Sequence, residues 1–293
     1  MSALRDVRVL VPGDEPALAR FFALHPDTTL FFQSNVLHGG LVDRGRVYHA
    51  TYAAAFEDGA IAALAGHCWN GNLVLEAPRH LAALARAAVR ASGRAVSGLV
   101  GRRAQVAAAR SALGLDPAAA YLDSGEDLFA LDLARLRVPE PLACGAWIVR
   151  APHEAELETL IEWRYAYRAT TLAEPTGAAL RAKCREEIPR YHGDGIHFVL
   201  EVDATPVAYS AFNASTPSCV QIGGVWTPPP LRGRGYARAV VAGSLLAAQR
   251  KGVTRSILFT GFDNHAAQAA YRALGYERAG DYAIVMFDAP QSI

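Results

Sequence analysis

Apolar residues in the C-terminal half of the chain recur in some segments at strand spacing and in others at helical spacing. The segment AWIVRA predicts a short strand, and two amphipathic patterns after it predict helices, HEAELETLIEWRYAYRATTL and TGAALRAKCREEIPRYH. Three more strands are predicted from IHFVLEV, PVAYSAFNA and CVQIGGVWT, which are separated by turn residues at 203–206 and a polar loop at 215–218. The pattern therefore predicts a strand, two helices and a three-stranded meander.

Two glycines interrupt the last of these strands. Gly223 and Gly224 have no side chain to pack, which weakens a strand ladder and predicts a β-bulge directly before Val225. We expect this bulge to splay the strand away from the one predicted at Ser256–Thr260.

The segment TPPPLRGRGYARAVVAGSLLAAQRKG joins that strand to a long helical pattern. Its three prolines cannot donate backbone hydrogen bonds, so the strand is expected to end near Thr227. Gly233 and Gly235 permit a tight turn, and the helix is expected to begin near Gly235. The free N–H groups of a first helical turn, with Arg232 and Arg234 beside them, predict a phosphate-binding site.

Two nucleotide-binding motifs do not fit this loop. A dinucleotide fingerprint counted from Gly233 needs a small residue where Arg238 stands, and a Walker loop needs a Lys-Ser/Thr pair that the segment lacks. The segment RGRGYA, Arg232 to Ala237, instead resembles the Arg/Gln-x-x-Gly-x-Gly/Ala signature of the GNAT acyl-CoA N-acyltransferases. The resemblance implies that this loop binds the pyrophosphate of coenzyme A.

A second motif lies downstream, in SILFTGFDNHAAQAAYRALGYE. It is similar to the Asn-(x)6-Tyr-x-x-Leu-Gly-Phe/Tyr block of the same family, with Asn264 and Tyr271 as the matching residues. Two helical turns separate these side chains, so we expect them to face one groove. The alternative, in which Asn264 is only a helix N-cap and Tyr271 only packs, stays open.

The resemblance implies an α/β fold with a mixed sheet and an N-acetyltransferase that uses acetyl-CoA and no metal. The acetyl group would pass directly to a primary amine, on a small molecule or an N-terminus. A backbone N–H of Val225 or Trp226 would stabilise the oxyanion, and Tyr271 would protonate the departing thiolate. The implied coenzyme A-binding residues are Val225, Trp226, Thr227, Arg232, Gly233, Arg234, Gly235, Tyr236, Ala237, Asn264 and Tyr271.

The sequence does not single out a general base. Many relatives carry a carboxylate where this chain has Gly223 and Gly224, and the polar residues left near the expected acceptor position are Gln221, Tyr209, His197 and Glu174. Ordered water or an amine of low pKa are further alternatives. A non-catalytic acyl-CoA-binding sensor or scaffold is the alternative function, and the presence of Tyr271 favours the enzyme.

The N-terminal half repeats part of this pattern. The segment from Gly98 to Leu115 aligns without a gap on the segment that contains the second motif, with Gly114 over Gly275 (275 − 114 = 161), and SGEDLFALDL parallels AGDYAIVMFD. In this alignment Arg103 stands over Asn264 and Arg110 over Tyr271, and the glycine-rich loop has no counterpart.

We therefore predict two GNAT-like domains in tandem. Residues 1–138 would form a degenerate domain without the CoA-binding loop, residues 145–293 would form the catalytic domain, and the boundary would lie in RVPEPLACG. The architecture resembles that of bacterial tandem GNAT proteins with one degenerate half. Whether the first domain shapes the acceptor pocket or is only structural stays open.

Composition excludes several other classes of protein. A net charge of +1 and a pI of about 7.8 give no broad basic surface, so nucleic acid is not an expected partner. No apolar run reaches the ~18 residues of a membrane span, and charges interrupt the N-terminal segment MSALRDVRVLVPGDE, so no membrane association and a cytoplasmic location are expected. The scattered Cys68, Cys144, Cys184 and Cys219 suggest neither a metal site nor a disulfide, and Cys219 is taken as core rather than as an acyl carrier. A homodimer stays open.

Overall fold

The computed structural model describes residues 6–293, along which strands and helices alternate. The strands are β1 (Asp6–Val9), β2 (Ala50–Glu57), β3 (Ala60–Cys68), β4 (Asn72–Glu76), β5 (Val96–Gly101), β6 (Ala120–Asp132), β7 (Ile148–Arg150), β8 (His197–Val202), β9 (Thr205–Ser215), β10 (Cys219–Trp226), β11 (Arg255–Gly261) and β12 (Glu277–Gln291). The helices are α1 (Glu15–Leu24), α2 (Leu30–Gly39), α3 (Leu81–Ser92), α4 (Arg103–Ala112), α5 (Glu140–Ala143), α6 (Leu157–Thr171), α7 (Ala178–Asp194), α8 (Tyr236–Arg250) and α9 (His265–Leu274). The strands and helices predicted for the C-terminal half are confirmed.

Two compact units share the chain, and the first is not a continuous stretch. It comprises the residues up to Asp127 together with Gly280–Ile293, whereas the second comprises Leu128–Ala279. The long strands β6 and β12 therefore each begin in one unit and end in the other.

The strands of the first unit follow the order β1-β2-β3-β4-β5-β12. All neighbouring pairs are antiparallel except β4 and β5, which are parallel. Apolar side chains of the strands pack with the buried faces of α3 and α4, and β12 contributes Ala283, Val285 and Phe287 to this core. The last strand of the chain thus completes the core of the first unit.

The second unit repeats this order as β7-β8-β9-β10-β11, with β6 on the far side of β11. Here β10 and β11 are the parallel pair, and the pairs β7/β8, β8/β9 and β9/β10 are antiparallel. Phe129, Leu131 and Leu133, at or just after the end of β6, lie in the core that α8 forms on one face of the sheet. Helices α6 and α7 build a second apolar cluster with Val199, Tyr209 and Trp226.

The two units hold the matching parts of the sequence repeat. In each unit a strand leads into a helix, α4 or α9, which is followed by a glycine in the left-handed region: Gly114 at φ 71° and Gly275 at φ 103°. A Cβ on Gly275 would also lie 2.8 Å from the carbonyl oxygen of Arg135, so this close approach requires glycine there. Two halves with the same order of strands and helices, as the repeat predicts, are present in the fold.

This division differs from the contiguous ranges 1–138 and 145–293 expected from the sequence. The chain crosses between the units at 127/128 and again at 279/280, inside or beside the long strands, rather than in the Pro- and Gly-containing segment at 137–145. The segments SGEDLFALDL and AGDYAIVMFD match each other in the sequence repeat. The first segment comes from the N-terminal half but lies in the second unit from Leu128 onward, and the second comes from the C-terminal half but lies in the first unit from Gly280 onward. Within the described part of the chain, no helix has the length and apolar character that crossing a membrane requires.

Candidate active site

The end of β10 carries the bulge that the glycine pair predicts. The register between β9 and β10 shifts after Gly223, and Gly224 adopts a φ of 61°. Pairing of β10 with β11 runs from Cys219↔Arg255 to Ile222↔Leu258, although β10 continues to Trp226 and β11 to Gly261. The last residues of β10 therefore lie beyond its ladder with β11, as expected for a splayed pair of strands.

Neighbouring side chains explain why the bulge consists of glycines. A Cβ on Gly223 would collide with the side chain of Asn213. A Cβ on Gly224 would lie 2.8 Å from Nη1 of Arg164 and 3.7 Å from Cε1 of Tyr209. The space that a carboxylate would need at these positions is thus already filled by other polar groups.

The glycine-rich loop between β10 and α8 leaves backbone amides available to a ligand. Gly233 and Gly235 have φ values of 79° and 81°, and Gly235 is the N-cap residue of α8. A Cβ on Gly233 would meet no atom within 4 Å, so crowding within this chain does not account for that glycine. The hydrogen bond from the Ala239 N–H to the Gly235 carbonyl opens the helix, and the amides before it have no intrahelical acceptor. A loop of this form can cradle phosphate oxygens.

The two arginines of the loop differ in their surroundings. Arg232 Nε donates to the Thr227 carbonyl over 3.1 Å, and its guanidinium lies 4.9 Å from the ring centroid of Trp226. Arg234 is exposed to solvent. Thr227 itself is buried, and its Oγ1 has no hydrogen-bond partner among the described residues. An unpaired buried hydroxyl beside the open amides is consistent with a polar ligand at this end of β10.

The other predicted site residues of this region lie around the same loop. Val225 is half-buried and packs against the core on the α8 face, whereas Trp226 is buried on the opposite face, edge-on to Tyr167. Tyr236 stacks edge-to-face on Trp147, and Ala237 is half-buried in the first turn of α8.

Asn264 and Tyr271 have different environments. Asn264 is exposed and caps α9, since its Oδ1 accepts a hydrogen bond from the Ala267 N–H over 3.2 Å. Tyr271 is only 9% exposed and packs against Tyr276 with ring centroids 6.0 Å apart. Capping and packing, the alternative roles for this pair, are therefore both present, and each leaves room for a second role toward a ligand.

Two of the four candidate bases are poorly suited to accept a proton. Glu174 is held in ion pairs with Arg168 at 2.6 Å and Lys183 at 3.0 Å, so both of its carboxylate oxygens already have partners. Gln221 is buried and its Oε1 lacks a partner among the described residues, but an amide is not a base at neutral pH.

The other two candidates belong to one hydrogen-bonded chain. The Tyr209 hydroxyl lies 3.4 Å from Nδ1 of His197, and Nε2 of His197 lies 3.3 Å from Nδ1 of the half-buried His192. Burial, and then His192, lower the pKa of His197 to about 4, so this imidazole is neutral at pH 7. Burial raises the pKa of Tyr209 well above its ordinary value, so its hydroxyl keeps its proton. A neutral imidazole can accept from the phenol at one nitrogen and donate to His192 from the other.

A buried ionic cluster behind the bulge is absent from the sequence-based prediction. Arg164 and Arg168, one turn apart on α6, both bind Glu187 of α7 over 2.9 Å. Burial raises the pKa of Glu187, but the two guanidinium groups outweigh this and lower it below its ordinary value. The sequence feature that indicates this cluster is the pair of arginines four residues apart in WRYAYR, but such a pair more often lies on a solvated helix face.

The equivalent region of the first unit lacks a comparable loop. Four residues, 77–80, join β4 to α3, whereas nine, 227–235, join β10 to α8. Arg110, which aligns with Tyr271, binds Asp123 at 2.7 Å and the carbonyl of Ala118 at 2.9 Å. Across residues 6–293, no group of three or more His, Cys, Asp or Glu is placed to hold a metal ion.

Residues 157–276 match the model of the acetyltransferase (GNAT) family. Solved structures match nearly the whole chain. A Drosophila protein matches at 9% identity and a TM-score of 0.66, with 98% of this chain and 99% of that chain covered. A GCN5-related N-acetyltransferase from Sphaerobacter thermophilus matches at 16% identity and a TM-score of 0.57, with 100% of this chain and 98% of that chain covered. A tandem GNAT protein from the clavulanic acid biosynthesis pathway matches at 14% identity and a TM-score of 0.52, with 98% and 100% covered. No curated protein sequence matches this chain.

The fold of the chain is accordingly that of tandem GNAT proteins, and its second unit carries a domain of the GNAT family. The match at residues 157–276 indicates acyl transfer as the chemistry of the second unit.

Proposed function

We propose that this protein is an N-acetyltransferase, which transfers an acetyl group from acetyl-CoA to a primary amine on a small molecule or an N-terminus. The acetyl group passes by direct attack while both substrates are bound. One observation carries this proposal: the bulged end of β10, beyond its ladder with β11, runs directly into a loop whose two left-handed glycines precede the open amides of α8.

The residues around that junction suit coenzyme A. Backbone groups of Val225, Trp226 and Thr227 can pair with an extended arm as an added strand does. The segment Arg232–Ala237 offers N–H groups and two guanidinium groups to the pyrophosphate, and Asn264 offers a side-chain amide to the arm. The first unit has no such loop, so acetyl-CoA would bind to the second unit alone.

Bound acetyl-CoA supplies a thioester, and residues of this chain assist its cleavage. A backbone N–H of Val225 or Trp226 donates to the carbonyl oxygen as negative charge develops there. The Tyr271 hydroxyl donates a proton to the departing sulfur.

Attack also requires a neutral amine. A lysine-like amine is neutral in only about one molecule in 2,500 at pH 7, and an α-amine in about one in six to ten. We propose Tyr209, His197 and His192 as the route for the released proton. Tyr209 accepts it while passing its own proton to Nδ1 of His197, His197 passes the proton on its Nε2 to Nδ1 of His192, and His192 releases a proton to solvent. The low pKa of His197 makes a concerted transfer more favourable than a stable charge on this buried ring.

Incubating the protein with acetyl-CoA and a panel of amines, and following thiol release, tests the proposal. We expect thiol release that depends on a particular amine and an acetylated product of matching mass. Reactions without amine correct for hydrolysis. If acetyl-CoA binds, as measured by calorimetry, but no amine from a broad panel promotes thiol release, the protein is the acyl-CoA-binding sensor or scaffold instead.

A further inference from the structure

Arg164 directs an unused donor at the bulge of β10. Its side chain is 7% exposed, Nε donates to Glu187 over 2.9 Å, and Nη2 lies 3.4 Å from the Tyr191 hydroxyl. Nη1 makes no hydrogen bond to any residue between 6 and 293, and it lies 2.8 Å from the position that a Cβ of Gly224 would take. A guanidinium nitrogen that has no acceptor within the protein can donate to a ligand that supplies one.

The charges around Arg164 do not complete its neutralisation. Arg168 binds both carboxylates of the cluster, with Glu174 at 2.6 Å and both oxygens of Glu187 at 2.9 and 3.0 Å. Lys183, whose side chain is 48% exposed, adds a third cation at 3.0 Å from Glu174. The cluster thus contains three cations and two carboxylates. Of these carboxylates, Arg164 contacts only Glu187, which also binds Arg168.

Two aromatic rings hold the guanidinium of Arg164 in place. It lies 5.5 Å from the ring centroid of Tyr167 and 5.6 Å from that of Tyr191. Together with Glu187, these contacts fix the plane of the group and leave Nη1 facing Gly224. A donor held in this way is organised for an acceptor atom before any ligand arrives.

We propose that the acceptor substrate is an amine that carries an anionic group, a carboxylate or a phosphate, and that Arg164 Nη1 binds this group. The proposal deepens the proposed function and rests on it. Nη1 and the Tyr209 ring flank the same point beside Gly224, so the anion and the reacting amine are separated by only a few bonds. Short compounds of the amino-acid or aminoalkyl phosphate type have this spacing.

Matched pairs of amines test the proposal on the unmodified protein. Amino acids with small, aromatic and acidic side chains are compared with their amides, and O-phosphoethanolamine is compared with ethanolamine, by thiol release and by the melting temperature without acetyl-CoA. We expect the anionic member of at least one pair to show a kcat/KM about 10- to 100-fold higher, as expected for a charge-assisted hydrogen bond, and to raise the melting temperature. The amine of an amino-acid amide is less basic than that of the amino acid, so more of it is neutral at pH 7. This difference favours the amide and therefore cannot produce the expected preference for the anionic amino acid.

Two variants of the same cluster separate recognition from structural support. Arg164→Gln should remove the preference for the anionic member and the rise in melting temperature that it causes. Arg168→Gln disrupts at least as many ion pairs but has no atom at Gly224, so it should lower stability and leave the preference intact. If Arg164→Gln does not fold, the matched pairs of amines measured on the unmodified protein decide whether the acceptor carries an anionic group.

The outcomes keep the two proposals apart. Equal kcat/KM values within every pair overturn the role of Arg164 and leave the N-acetyltransferase standing. Absence of acetylation with any amine overturns the N-acetyltransferase, and the melting temperatures then decide the anion site: a rise with the anionic probes that Arg164→Gln abolishes supports it, and no rise refutes it. A preference confined to phosphate or to carboxylate identifies which anion the acceptor carries.

Discussion

The phenol oxygen of Tyr209 lies 3.4 Å from Nδ1 of His197, and both residues are almost fully buried. Tyr209 faces the bulge at Gly224, whereas His197 is within hydrogen-bond distance of the half-buried His192. The two side chains therefore link the proposed acceptor position to a ring near the protein surface.

Removing the Tyr209 hydroxyl should slow turnover without weakening acetyl-CoA binding. Tyr209→Phe keeps the ring that packs against His197 but breaks the proposed proton route, so kcat should fall by roughly 10²-fold or more. Steady-state kinetics and calorimetry measure the two quantities. Tyr52→Phe is the control, because it also removes a buried tyrosine hydroxyl, but one in the first unit that has no hydrogen-bond partner among the described residues. Full activity of Tyr209→Phe would rule out the route.

Stability should fall as the pH is lowered from about 6.5 toward 4. Burial lowers the pKa of both His67 and His197 to about 4, whereas an unfolded histidine titrates near ~6.5. The unfolded chain binds more protons in this window, so the contribution of each histidine is complete above pH 6.5 and is lost as the pH approaches 4. Urea denaturation at a series of pH values measures the slope.

His197→Asn provides the control for the pH dependence. It removes one of the two titrating groups, so the slope of the unfolding free energy against pH should decrease by up to ~1.4 kcal/mol per pH unit. The pKa values of Asp14 and Asp43 are lowered from 3.8 to about 2. The stability that these two carboxylates contribute is therefore lost only as the pH falls below about 3.8, outside the window of the histidines. A slope that His197→Asn leaves unchanged would contradict the assignment.

The two ends of α8 offer a matched test of the cofactor loop. Gly235 and Gly252 have φ values of 81° and 92°, and a Cβ would meet no atom closer than 3.8 Å at the first and none within 4 Å at the second. Valine should strain the backbone similarly at both positions. Gly235→Val should abolish the rise in melting temperature caused by acetyl-CoA, whereas Gly252→Val should keep it. Equal binding by both variants would place the phosphates elsewhere.

Tyr271→Phe should retain acetyl-CoA affinity and lose turnover by roughly 10²–10⁴-fold if the hydroxyl protonates the leaving sulfur. The substitution preserves packing against Tyr276, so the melting temperature should change little. Burst and steady-state kinetics with the best amine measure the loss. Turnover at the unmodified rate would show that Tyr271 is not the acid.

The role of Asn264 can be separated from its cap. Serine also caps helices, so Asn264→Ser should keep stability but weaken acetyl-CoA binding if the amide holds the arm. Asn264→Ala should lower both, with a loss of about 0.5–2 kcal/mol in unfolding free energy from the missing cap. Unchanged affinity of both variants would leave Asn264 with capping alone.

Local patterns were sufficient to predict much of the second unit. Proline and glycine placed the end of β10, the bulge at Gly224 and the start of α8, because each of these features depends on the backbone preferences of one or two residues. The meander of β8, β9 and β10 followed from the turn residues between its three strands.

Features that depend on distant partners could not be predicted. The strands β6 and β12 have equivalent patterns, and nothing within either segment specifies which unit its end joins. Two arginines four residues apart are typical of a solvated helix face, and only the packing of α6 against α7 brings Glu187 to Arg164 and Arg168. The hydrogen bond between Tyr209 and His197 likewise depends on the register of β8 and β9.

The exchange of β6 and β12 also reverses the order in which the two units are completed during translation. The ribosome has made all of residues 128–279 before it adds the final strand that the N-terminal unit needs. Until then the nascent N-terminal unit has an uncovered edge at β5, and such edges pair readily with other chains. The half that is synthesised first is therefore the half that is completed last.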